Sequence, residues 1–148
     1  MLIETKYFGE MEIDEEKVIH FDSGIPGFLD EKEFIILDIP GNEVIQIMQS
    51  FHTPSLAFFI ANPHQFHQEY HFTLPDNVME ALNIATEEEI VILSIMTINE
   101  PFEKSTINLQ APIVINYRTK LGKQIILNDE RYAMKTAIIS QNQQEKGD

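Results

Sequence analysis

The sequence predicts a mainly β fold, a small antiparallel β-barrel-like single domain with one short α-helix at about residues 75–83. Three observations carry this. Short apolar runs alternate with polar residues at period two, as in Ile107-Asn108-Leu109-Gln110, the pattern of half-buried strands. Turn chemistry separates the runs at Gly24-Ile25-Pro26-Gly27, Pro40-Gly41-Asn42 and Asn99-Glu100-Pro101. Leu74 to Ile84 alone shows a good helical pattern, too short to stand without a sheet beneath it.

The elements follow in order. Ile3, Thr5 and Tyr7 alternate as a first strand, and Met11-Glu12-Ile13 and Val18 to Phe21 continue as short strands. The acidic Asp14-Glu15-Glu16 between them reads as a solvated hairpin tip. In Ser23-Gly24-Ile25-Pro26-Gly27-Phe28, Pro26 presets one central position of a type II turn and Gly27 accepts the positive φ of the next. Ile25 and Phe28 are the apolar residues it would pin. No GxxxxGK[ST] or lysine follows these glycines, so a phosphate cradle is not indicated. Strands are expected over Glu33–Ile39, Val44–Phe51 and Leu56–Ala61, the last one central. Bulky side chains on both faces of Val44–Phe51 call for a cover on one face, another sheet or a partner.

Tyr70, Phe72 and Leu74 alternate like a strand. In the helix, Pro75 suits the first turn, Asp76 complements the positive end of the dipole, Val78, Met79 and Leu82 form an apolar stripe, and Asn83 caps the end. Thr86-Glu87-Glu88-Glu89 resembles a capping box but precedes Ile90–Ile98, the most strand-like run of the chain, so it reads as a loop. The strand beginning at Thr106 should break at Ala111-Pro112, because proline cannot donate to a ladder, and then resume with Ile113-Val114-Ile115. Such a bend lets one strand pair with one neighbour first and another afterwards. Arg118–Lys123 is expected to turn around Gly122, and Gln124–Leu127 to return. Residues 1–139 form the domain, and 140–148 a polar, disordered tail.

Composition narrows the chemistry. The chain has 148 residues, 43% of them hydrophobic, and a net charge of −14. Residues 1–103 hold 20 acids against 3 basic residues, a field that repels nucleic acid and anionic membrane and steers basic proteins inward. Acidity also simply keeps a protein soluble. No cysteine, transmembrane run or signal segment is visible, which suits a cytoplasmic protein. His64, His67 and His71 would share a face on a helix, but the strand-like alternation of Tyr70–Leu74 points His71 away, so a metal site is not expected. No HExxH, GxSxG, Walker or dinucleotide motif occurs, and neither catalytic nor cofactor-binding residues are assigned.

Several motifs, in order, resemble the FliW family of flagellar assembly factors. They are Tyr7-Phe8-Gly9-Glu10; Phe21 with Gly24-Ile25-Pro26-Gly27-Phe28; Phe51, Pro54, Leu56-Ala57-Phe58 and Asn62-Pro63. Asn108-Leu109-Gln110-Ala111-Pro112-Ile113-Val114-Ile115-Asn116 is the signature, followed by Gly122-Lys123-Gln124 and Asp129-Glu130-Arg131-Tyr132. Together they span roughly nine-tenths of the chain, one domain by size. The resemblance marks Gly24, Pro26, Gly27, Asn108, Leu109, Ala111, Pro112 and Asn116 as structural motif residues. It implies a non-enzymatic protein that binds flagellin and, alternately, CsrA, a small basic RNA-binding translational repressor, relieving repression of flagellin synthesis. It further implies a site on the repressor outside the RNA-binding surface.

On the residues themselves, exposed apolar positions near Phe66, Tyr70, Met96, Ile98 and Phe102, rimmed by Glu69, Glu100 and Glu103, form the expected partner surface. Two other functions compete: a small acidic β-barrel enzyme using Asp or Glu, and a small-ligand carrier. Eight long up-and-down strands are not evident for the carrier.

Overall fold

The computed structural model describes residues 1–139; the tail expected at 140–148 lies outside the described residues. β1 (Leu2–Thr5) and β2 (Gly9–Glu12) form a two-stranded antiparallel hairpin. The other strands make one sheet: β3 (Ile19–His20), β4 (Glu33–Ile39), β5 (Asn42–Ser50), β6 (Ala57–Ala61), β7 (Ile90–Thr97), β8 (Thr106–Ile107), β9 (Ile113–Asn116), β10 (Leu121–Gln124) and β11 (Thr136–Ala137). Their order is β11-β8-β7-β6-β5-β4-β3-β10-β9, and β9 pairs back onto β7, so the sheet returns on itself. Every pairing is antiparallel except β3 with β10, which meet in parallel at His20 and Leu121. The mainly β single domain with one helix, α1 (Asp76–Ala81), is as the sequence predicts.

The ring positions its own core. Phe21, Phe34, Met48, Ile60, Leu93, Ile113 and Ile115 pack together, with Phe21 and Phe34 edge to face at 5.5 Å. Burying each such side chain contributes about 1.5–3 kcal/mol. The opposite face of β4 and β5, which carries Ile35, Leu37 and Ile47, lies under Ile3 and Ile13 of the hairpin segment. That is the covering layer which the two-faced alternation of β5 calls for. Helix α1 sets Val78 and Leu82 on Val114 and Ile125. It starts at Pro75 and ends at Asn83, whose φ of 52° is the left-handed stop of a helix C-terminus.

The signature strand breaks where Pro112 requires. Met96 pairs with Ile107 and Leu93 with Ile113, so Ser94 and Ile95 face the five residues 108–112. Asn108 shapes this bulge: its side-chain oxygen accepts from the Gln110 and Ala111 amides at 3.1 and 3.0 Å. The carbonyls of Gln110, Ala111 and Pro112 accept from Leu127 N, Gln124 Nε2 and Ile125 N. The change of neighbour happens on one side only. β8 and β9 both keep β7, while the other neighbour changes from β11 to β10.

Three local expectations change. The Asp14-Glu15-Glu16 stretch is a short 3-10 turn at Glu15–Lys17 capped by Asp14, not a hairpin tip, because β2 and β3 belong to different sheets. The basic turn lies at residues 117–120, with Lys120 at φ 59°. Gly122 lies within β10 instead, where a Cβ would come within 2.7 Å of the Phe21 ring. Tyr70–Leu74 is extended and alternates in burial but joins no ladder.

Candidate functional site

The expected partner surface draws on residues 64–71 and 96–103. β6 ends at Ala61, and the next residue, Asn62, caps a 3-10 turn, Pro63–Gln65, its side-chain oxygen accepting from the His64 amide at 2.9 Å. Phe66 closes the turn by donating its N–H to Pro63 O, and the chain folds back until the Tyr70 amide reaches His67 O. Tyr70 is buried, 4% exposed. Its hydroxyl donates to Leu109 O at 2.7 Å, and its ring meets that of Tyr132 edge-on at 4.7 Å. Burial, with a smaller push from Tyr132, raises the phenol well above its ordinary pKa, so it stays a neutral donor.

Met96 is likewise 4% exposed and sits between Phe59 and Ile107 on the neighbouring strands. Tyr70 and Met96 therefore belong to the core and not to the exposed surface expected of them. The cluster they share with Leu109 and Ile138 covers that face. Phe66 is half-buried against the same cluster. Ile98 and Phe102 remain 38% and 42% exposed in the β7–β8 connection, beside the exposed Glu100 and Glu103; Glu69 is exposed on its own turn. Asn99 holds the connection firm: its amide donates to Ser105 Oγ and its side chain to Lys104 O, both at 2.9 Å. Among the described residues Glu69, Glu100 and Glu103 have no ion-pair partner, and Lys104, exposed in the same turn as Glu103, is the nearest basic residue in sequence.

The histidines are committed elsewhere. His64 Nε2 lies 2.9 Å from Tyr70 O and His67 Nε2 2.7 Å from Ala137 O, while His71 is exposed with its amide on Tyr132 Oη. Among the described residues no three His, Cys, Asp or Glu are arranged to hold a metal ion.

The motif residues have structural work. Gly24 has φ 70°, and a Cβ there would run into the Leu29 backbone. Pro26 and Gly27 form the tight turn, closed by Phe28 N to Ile25 O at 2.7 Å, with Gly27 at φ 88°. Ile25 is buried as expected, but Phe28 stays 43% exposed against the edge of Phe58. Asn116 is fully buried and ties three segments together. Its Nδ2 donates to Leu82 O (2.9 Å), Asn83 O (3.2 Å) and Glu89 Oε2 (3.2 Å), and its Oδ1 accepts from the Arg118 and Thr119 amides. Partial burial alone would raise the Glu89 carboxyl. Hydrogen bonds from Ala85, Arg118 and Asn116 outweigh it and hold the pKa low.

One feature had no local signal beyond the Tyr70-Phe72-Leu74 alternation. A groove of about 460 Å³ opens between that extended segment, α1 and the start of β7. Phe72, Leu74, Met79, Ile84, Ile90 and Ile92 supply its apolar walls, with Glu87, Thr73 and His71 at polar positions.

Fold and surface together define a class: small, mainly β single-domain proteins built on a sheet that returns on itself, with apolar residues set among unpaired carboxylates. Within that class, the chain belongs to the FliW family. The family profile described as FliW protein matches residues 2–138. The chain is similar to a flagellar assembly factor FliW of Oceanobacillus iheyensis, 47% identical over 140 residues, covering 95% of each chain. A flagellar assembly factor FliW of Bacillus subtilis is 43% identical over 138 residues, covering 93% of this chain and 96% of that one. A crystal structure of the flagellar assembly factor FliW superimposes with a TM-score of 0.90 at 40% identity, covering 95% of this chain and 99% of that one.

Proposed function

We propose that this chain is a cytoplasmic, non-enzymatic flagellar assembly factor that acts by binding other polypeptides. The observation that carries the reading is similarity along nearly the whole chain to proteins named flagellar assembly factors, without a large insertion that could house another activity. Its partners are flagellin and, alternately, a CsrA-type translational repressor. Binding the repressor relieves repression of flagellin synthesis, and free flagellin displaces it. Two mutually exclusive binding equilibria are enough for such a switch. The unpaired carboxylates around Ile98 and Phe102 favour a basic partner and speed its approach. Phe66, Glu69, Ile98, Glu100, Phe102 and Glu103 are the surface through which it binds the repressor. Neither nucleic acid nor membrane is a direct partner, because the same field repels both.

Pull-downs with purified flagellin and purified repressor as separate baits test the reading. Retention on both baits is expected, and folded protein that ignores both overturns it. Exchanging Phe102 for alanine, an exposed residue outside the core clusters, should weaken repressor capture without changing the melting curve.

A further inference from the structure

We propose that the groove between α1, the extended segment Tyr70–Leu74 and the start of β7 is a strand-addition site for a short extended peptide with alternating apolar residues and basic flanks. This goes beyond the flagellar reading, since backbone pairing and charge define the ligand. Three observations converge on it.

The groove has the size and apolar lining of a binding site, about 460 Å³ walled by Phe72, Leu74, Met79, Ile84, Ile90 and Ile92. Its extended wall is unpaired. Among the described residues, the backbone N–H and C=O groups of Phe72, Thr73 and Leu74 have no hydrogen-bond partner, although the segment has a strand's alternation of exposure. An extended segment with open backbone groups is a template for another strand, which would supply partners to the groups on one of its edges and drop alternate side chains into the groove. The flanking elements are acidic. Asp76 and Glu80 on α1 and Glu87 and Glu88 after it are exposed, have no ion-pair partner among the described residues, and no Lys or Arg lines the groove. A basic flank complements them.

These observations also rank the occupants. A helix satisfies its own backbone and would leave Phe72–Leu74 unpaired. A fatty chain would fill the apolar walls but answer neither the backbone nor the carboxylates. The extended basic peptide answers all three.

The test titrates the full chain with a blocked synthetic peptide in which leucine alternates with lysine and threonine. Its partners in the test are a scrambled peptide of the same composition, a helix-forming leucine-lysine peptide, and dodecanoate. Saturable binding of the alternating peptide is expected, about tenfold tighter than the scrambled one. Alternate amides, Phe72 with Leu74 or Thr73 alone, should gain protection from hydrogen exchange on binding, because one added strand bonds only one edge of the segment. Where Thr73 is the protected amide, Thr73→Pro, at an exposed position, removes the donor and should abolish the difference between the peptides; where Phe72 and Leu74 are protected, Leu74→Pro should do so. Glu87→Lys, which leaves the backbone intact, should weaken binding at low salt. No saturable binding of the alternating peptide, binding without protection at any of residues 72–74, equal or tighter binding of the helical peptide, or tighter binding of dodecanoate in the groove would each overturn the proposal.

Discussion

Replacing Asn116 with alanine should destabilise the chain more than any exposed substitution, because one buried amide serves α1, β9 and the turn after it. The substitution deletes three short or medium donations, to Leu82 O, Asn83 O and Glu89 Oε2, and the acceptor for the Arg118 and Thr119 amides. Some partners are covered by others. Thr119 Oγ1 still reaches Leu82 O at 3.1 Å and Arg118 Nη2 still reaches Asn83 O at 2.7 Å. Counting about 1 kcal/mol for each of the two shortest bonds, and about 1 more for the longer ones and the buried space left behind, the loss is about 3 kcal/mol. For a chain of this length that lowers the melting temperature by about 6–12 °C. Urea unfolding should show a lower midpoint at unchanged slope. Asn116→Asp keeps the turn acceptor but sets a carboxylate against Glu89, so its deficit should shrink as both are protonated. A loss below about 1 kcal/mol for the alanine variant would refute the view that this residue clamps the three segments.

Other substitutions separate conformational strain from steric contact. Gly27→Ala meets no atom within 4 Å and carries only the cost of positive φ, about 1 kcal/mol, whereas Gly24→Ala adds collision with the Leu29 backbone and should cost clearly more; equal melting shifts would contradict this. Tyr70→Phe forfeits the bond to Leu109 O and should cost about 1–2 kcal/mol in chemical denaturation, with no new phenol titration exposed. Asp129 is held at about 2 against an ordinary 3.8, chiefly by the Arg131 side chain and then by its amide. The folded value is depressed, so this stabilisation is fully present above the unfolded value and fades as pH falls from there through about 2. The stability difference between the parent and Asp129→Asn should therefore be constant near neutrality and close in strong acid; a gap that persists at pH below about 2 would refute the pairing.

Much of the fold is legible where local chemistry decides. β4 occupies the expected Glu33–Ile39 because an apolar run ends in Pro40-Gly41, and α1 begins at Pro75 and stops at Asn83 for equally local reasons. Pro112 announces the break in the signature strand, and Gly27 the tight turn. Tyr70 and Met96 show the limit. Period two tells which residues share a face, but what covers that face comes from Leu109 and Ile138, far along the chain. Gly122 reads as a turn glycine until the Phe21 ring is placed against it. The groove escapes for a different reason: its lining residues all lie between His64 and Ile92, but periodicity within each element does not say how the extended segment, α1 and the start of β7 fold against one another.

A displacement titration reads the proposed recognition of polypeptides by this surface directly. Purified chain is first saturated with labelled CsrA-type repressor and then titrated with flagellin, with Phe102→Ala run in parallel. Release of the repressor in proportion to flagellin bound, with weaker initial loading of the Phe102→Ala variant, is the expected result. Folded protein that loads neither partner, or holds both at once without loss of either, would contradict it.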